Sequence, residues 1–311
     1  MSKTAATPAS IELTAVLVAV TDEDPRVLTI QDGKALPSGP FASGHRTLQL
    51  ALRSWVERQT HHPPGYLEQL YTFADRGRVE GDAQRRVISI SYLGLSRETR
   101  VSGDRAPRWH GWYRYLPWED WRDGPSPLVA RLIVPRLQQW AGDADDAETG
   151  RARRHRVEAT FATSGRDWNE ELVLQRYELL YEAGLVREAS RRRPVVEPLP
   201  PGEPMMHDHR RILATGIARL RAKIKYRPIV FEMMPAAFTL SQLQRAVEAL
   251  AGRRLHKQNF RRLIDQQGLV EETGEMSTET GGRPARLVRF RREVLLERAL
   301  AGSKLPLARS V

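Results

Sequence analysis

The 311-residue chain contains no cysteine. That removes disulfides, thiolate zinc sites and zinc-finger DNA readers from consideration. Long apolar runs are missing too: the longest stretch, Leu13 to Val20, is interrupted by Thr14 and falls far short of the about 20 residues a membrane-spanning helix needs. The opening MSKTAATPAS lacks the apolar core of a secretion signal, so the expectation is a cytoplasmic protein with no membrane partner. There is no Gly-x-Gly-x-x-Gly or Walker-type phosphate loop. His207 and His209, two apart, read as the start of a helix rather than as metal ligands.

What is abundant is positive charge, and it is localised. Residues 1–205 hold 28 Lys plus Arg and 28 Asp plus Glu, whereas residues 206–311 hold 21 and 10, so the whole net charge of +11 lies in the last third. A basic segment beside a neutral one points to a polyanion-binding module joined to something else.

The neutral part reads as a mixed α/β unit. Ile11 to Ile30 gives two strands around the turn DEDP, and Thr47 to Gln59 forms a helix with Leu48, Leu52, Trp55 and Val56 on one face. RRVISISYLGL is a further strand, RWHGWYRYLPWEDWR packs as strand and turn, and a helix from about Pro127 to Trp140 closes the unit. GDADDAETGRARRHR is polar and expected to be a loop, and Trp168 to Leu185 is expected to be helical. RRRPVVEPLPPGEP is Pro-rich, unsuited to helix or central strand, and marks the boundary. The resulting division is 9–142, then a charged loop, helix and linker over 143–205, then 206–300.

After the linker, Leu213, Ile217, Leu220 and Ile224 are spaced as a narrow helical seam. It would either help a dimer form or pack within its own domain. FTLSQLQRAVEALAG carries a capping box at Thr239 and Gln242, staple positions at Phe238 and Leu243, and the C-terminal stop Gly252. A short turn leads to a second helix, His256 to Gln267, with Phe260, Leu263 and Ile264 apolar. Lys257, Gln258, Arg261 and Arg262 fall on its opposite face, with Asn259 beside them. A strand, a Gly-rich loop and a strand follow, with Arg283, Arg286 and Arg289 placed to touch phosphates. This is the pattern of a winged helix-turn-helix whose recognition helix carries the side chains that read guanine and adenine edges. Double-stranded operator DNA is the expected partner.

One stretch in the first unit carries a resemblance. The Nudix box runs Gly-x5-Glu-x7-Arg-Glu-x2-Glu-Glu-x-Gly. With Gly39 on its first glycine, Arg53 falls on its arginine without a gap, but the glutamate positions hold His45, Ser54, Glu57 and Arg58, and the last glycine position holds Thr60. Magnesium needs several oxygen ligands. One helix carboxylate of three, beside a guanidinium, does not supply them, so no catalytic or metal residue is assigned, and Glu57 is expected to pair with Arg53 or Arg58. YLEQLYTFADRGR with RVISISYLGL, and the block from HDHRRILATG to GGRPARLVRF over 207–290, resemble the Nudix-type transcriptional regulators of NAD metabolism, the NadQ and NrtR families. The resemblance implies an α+β chain: an N-terminal Nudix-like α/β/α sandwich and a C-terminal winged helix-turn-helix domain. It further implies a homodimeric repressor of NAD biosynthesis genes, needing no cofactor but bound by a nucleotide effector such as ADP-ribose, NAD or ATP. Candidate effector residues are Phe41, Arg53, Glu57, Tyr71, Phe73, Arg86 and Tyr92, as aromatics stack on bases and arginines meet diphosphate. The alternative is a pyrophosphatase with non-standard metal ligands and a nucleic-acid-binding tail.

Overall fold

The structure, a computed structural model, describes residues 9–42, 44–75, 86–98, 107–191, 194–277 and 284–294. Its first half is built on a mixed sheet of β1 (Ala9–Thr21), β2 (Asp24–Thr29), β3 (Ser38–Pro40), β4 (Tyr66–Phe73), β5 (Arg86–Leu95) and β6 (Arg108–Gly111), ordered β4-β5-β1-β2-β6 with β3 also on β1. β1 and β5 run parallel and the other pairs antiparallel. The central strand β1 is apolar on both sides, as a doubly covered strand must be. Leu13, Ala15 and Leu17 meet α1 (Leu48–Thr60) through Ala51, Leu52 and Val56, while Val16 and Val18 enter the larger core on the other face.

That larger core is supplied by the rest of the chain. α2 (Val134–Gly142), α3 (Ala147–Phe161) and α4 (Val173–Glu182) precede α5 (His209–Ile224), which lies against the sheet so closely that a Cβ on Gly216 would stand 2.9 Å from Val16 Cγ1. α6 (Leu240–Ala251), α7 (Lys257–Gln266) and the hairpin of β7 (Val270–Ser277) and β8 (Ala285–Phe290) follow. A single cluster of buried residues runs from Val16 and Leu93 in the sheet through Leu180 and Leu213 to Leu250, Ile264 and Val288. No described helix is long and apolar enough to cross a membrane.

One expectation is corrected and one alternative is settled here. Residues expected as a polar loop form α3, because Asp146 caps its first turn, accepting from the Thr149 amide at 2.7 Å, and Val157 and Phe161 are buried. The seam of α5 is not free for a partner: Leu213, Ile217 and Leu220 are fully buried within their own chain. That packing is not confined to the helix's own domain, as expected in one alternative, but reaches the sheet at Val16.

Candidate functional site

Thr47 caps α1, accepting from the Leu50 amide at 3.1 Å. Gly39 is glycine for want of space: a Cβ there would lie 2.2 Å from the Trp55 ring, whose Nε1 donates to Pro40 O at 3.0 Å. Arg53 donates to the carbonyls of Pro64 and Gly65 at 2.5 and 3.0 Å, clamping the loop into β4. Gln59 grips Ser38 from both sides, accepting from its amide at 3.1 Å and donating to its carbonyl at 2.7 Å. His45 accepts from the Ala42 amide at 3.0 Å and stacks on Phe41, ring centroids 5.8 Å apart. The Arg58 guanidinium lies 4.1 Å over Trp55. The box positions therefore hold loops in place. Glu57 is exposed and, contrary to expectation, pairs with neither Arg53 nor Arg58.

The expected effector residues do not all converge. Phe41 packs beside the α1 core, and Tyr92 is buried within it. Phe73 is 1% exposed and belongs to the opposite core, under Arg211 at 4.9 Å. Tyr71 is 57% exposed, its ring 4.9 Å from Phe73. Arg86 begins β5, and its side chain lies outside the described residues.

The basic module is assembled as its local signals dictate. Thr239 and Gln242 form both halves of the capping box: the Thr239 amide donates to Gln242 Oε1 at 2.7 Å and the Gln242 amide to Thr239 Oγ1 at 3.2 Å. Gly252 ends α6 at a φ of 70°, and a Cβ there would lie 2.5 Å from Glu119 O. On α7, Phe260 and Ile264 face the core, while Lys257, Gln258, Asn259, Arg261 and Arg262 are exposed. The three cations have no ion-pair partner among the described residues. Leu263, expected on the apolar face, is 50% exposed. The hairpin is less open than expected: Arg286 pairs with Glu272 and Arg289 with Glu271, both at 2.6 Å. Arg283 lies outside the described residues.

Sequence reasoning missed what joins the two halves. Glu119 and its partners Arg176 and Arg221 have fully buried side chains. Arg176 reaches Glu119 through Nε at 2.6 Å and Nη2 at 2.7 Å, and Arg221 through Nη1 at 2.8 Å. Arg221 also donates to Leu250 O at 2.9 Å, and the Tyr113 hydroxyl donates to Ala249 O at 2.7 Å, fastening the end of α6. Trp168 lies 3.8 Å from the Arg176 guanidinium and stacks on Trp121 at 3.9 Å. The one signal available was the glutamate set among tryptophans in LPWEDW.

Residues 230–290 match the family model described as the NrtR DNA-binding winged helix domain. The chain is 42% identical over 83 residues to the ADPR responsive transcriptional repressor NtrR of Acinetobacter baylyi, spanning 33% of that protein's length and 27% of its own. Among solved structures it resembles Shewanella oneidensis NrtR complexed with a 27mer DNA, at 20% identity and a TM-score of 0.52 over 91% of this chain and 94% of that one. A MutT/nudix family protein from Enterococcus faecalis gives 16% identity and a TM-score of 0.53, over 94% of this chain and 90% of that one. This chain is thus NrtR-like in fold, a Nudix-type half joined to a winged helix of the NrtR DNA-binding kind at residues 230–290.

Proposed function

We propose that this chain is a cytoplasmic, homodimeric transcriptional repressor of NAD biosynthesis genes, released or engaged by a nucleotide bound to its Nudix-type half. The observation that carries the reading is the exposed, uncompensated face of α7, inside the segment that matches the winged helix family. Set in a major groove, Arg261 and Arg262 have the fork geometry for guanine, and Gln258 and Asn259 that for adenine. Lys257 would neutralise phosphate, as would Arg286 by exchanging an exposed and therefore weak ion pair for a DNA one.

ADP-ribose is the first effector to try, since the Acinetobacter relative is named as responsive to it; NAD and ATP share its adenosine diphosphate unit. Phe41, Arg53 and Glu57, which lie on or beside α1, are the residues proposed to meet it. With Arg58 on Trp55 and serine at position 54, the exposed face of α1 offers a metal the single carboxylate Glu57. The half is accordingly proposed to bind nucleotide without hydrolysing it.

Mobility shifts on DNA from the protein's own genomic neighbourhood, repeated with ADP-ribose, NAD and ATP, test the reading. A specific complex whose affinity falls steeply with salt and changes with one nucleotide is expected. Absence of a specific complex would overturn it. In parallel, purified protein with Mg²⁺ and ADP-ribose should release no product; turnover at ordinary enzyme rates, about 1–1,000 per second, would favour a pyrophosphatase instead.

A further inference from the structure

The exposed face of α7 is not uniformly basic. Asp265 is the single acidic residue of Lys257–Gln266, and it is exposed. At about 100° per residue it stands between Gln258 and Arg261 around the helix axis, within about 40° of each, and away from the buried Phe260 and Ile264. Arg261 lies one turn before it and Arg262 three residues before it. Residues at those spacings are neighbours on a helix surface and can pair. Yet among the described residues the Asp265 carboxylate makes no ion pair or hydrogen bond. Other carboxylates of the module are engaged: Glu248 by Arg254, Glu271 by Arg289 and Glu272 by Arg286.

A free carboxylate on a surface that meets DNA repels phosphate, so it weakens binding to every sequence unless it gains something at a base. What it can gain is narrow, because a carboxylate only accepts hydrogen bonds. In the major groove cytosine offers its N4 amine, whereas guanine presents two acceptors and thymine an acceptor and a methyl group. The same side chain thus attracts one base and rejects others, and specificity needs both. Arginine, a donor only, cannot make that choice.

We infer that Asp265 is a specificity-determining residue of α7, accepting from the N4 amine of a cytosine in the major groove. The inference rests on the DNA-binding reading of that helix. A helical turn advances about 5.4 Å and a base pair about 3.4 Å, which sets this cytosine about one or two base pairs from the pair that Arg261 reads.

Selection from a pool of randomised duplexes by the full chain tests the inference, with Asp265→Ala and Asp265→Asn run beside the unaltered protein. The unaltered protein is expected to enrich a motif containing that C·G pair. Asp265→Ala should lose discrimination there and nowhere else, by about tenfold to a hundredfold, while its affinity for scrambled DNA rises. Asp265→Asn, whose amide suits adenine, should move the preference at the same position from cytosine to adenine. Unchanged melting curves are expected for both variants, as for other exposed sites. An enriched motif with identical preferences in all three proteins would overturn the inference and leave α7 as the DNA-reading helix. A general gain in affinity with no change in preference would overturn it too, making Asp265 a brake on phosphate contact alone. No enriched motif for the unaltered protein would overturn the DNA-binding reading and this inference together.

Discussion

The double variant Arg261→Ala, Arg262→Ala is expected to lose specific operator binding by roughly two to four orders of magnitude at moderate salt. Each guanidinium that reads a base bidentately is worth about 1–3 kcal/mol of discrimination. Neither arginine is engaged within the protein, since both are exposed and without ion-pair partners among the described residues. Stability should move by no more than about 0.5 kcal/mol, as for other exposed sites. Anisotropy titrations of a labelled operator and of a scrambled sequence separate the outcomes. Loss confined to the operator assigns base reading to these residues; equal loss on both assigns them to phosphates; unchanged binding refutes the role of α7. Arg286→Ala provides the contrast, because its charge already faces Glu272. It should weaken both DNAs alike and reduce the salt slope by about 1.

The second large effect concerns stability. Glu119→Gln is expected to cost about 3–5 kcal/mol, because removing one member of a buried ionic group leaves the others uncompensated. Here one carboxylate serves two guanidinium groups whose side chains have no exposure at all. Against a typical total of about 5–15 kcal/mol, much of the protein's margin disappears. Urea titration followed by tryptophan fluorescence measures it; a midpoint equal to that of the unaltered protein would show that the network is not held together by this charge. Replacing the group by apolar residues (Glu119→Leu with Arg176→Met and Arg221→Met) should recover part of the loss, since well-packed apolar substitutes for buried ionic groups are often tolerated.

How far these features were legible in the sequence depends on whether the information is local. The capping box at Thr239 and Gln242, the stop at Gly252 and the polar face of α7 are written within a few residues, and each is realised. The helix that carries Arg53 was likewise readable from its apolar spacing. Features set by distant partners were not. Phe73 looked like a base-stacking ring but is claimed by the core beneath α5. The charged run around 147–156 hid α3, whose apolar contacts come only at Val157 and Phe161. Periodicity showed that α5 has a seam but not what covers it. Nothing near Glu119 announces Arg176 or Arg221, 57 and 102 residues away.

The unbroken core has a consequence for how the protein fails. The Nudix-type half and the winged helix have no boundary at which one could melt while the other stays folded, since the buried cluster passes through the sheet, α5 and α7 alike. Calorimetry should therefore record one cooperative transition, and a fragment of residues 206–311 made alone should aggregate, with the sheet-facing side of α5 laid bare; two resolved transitions would contradict this. On the proposed repressor reading, a destabilising change far from α7 would lower operator occupancy simply by shrinking the folded population, so that gene control would rest on overall conformational health as much as on contacts with DNA.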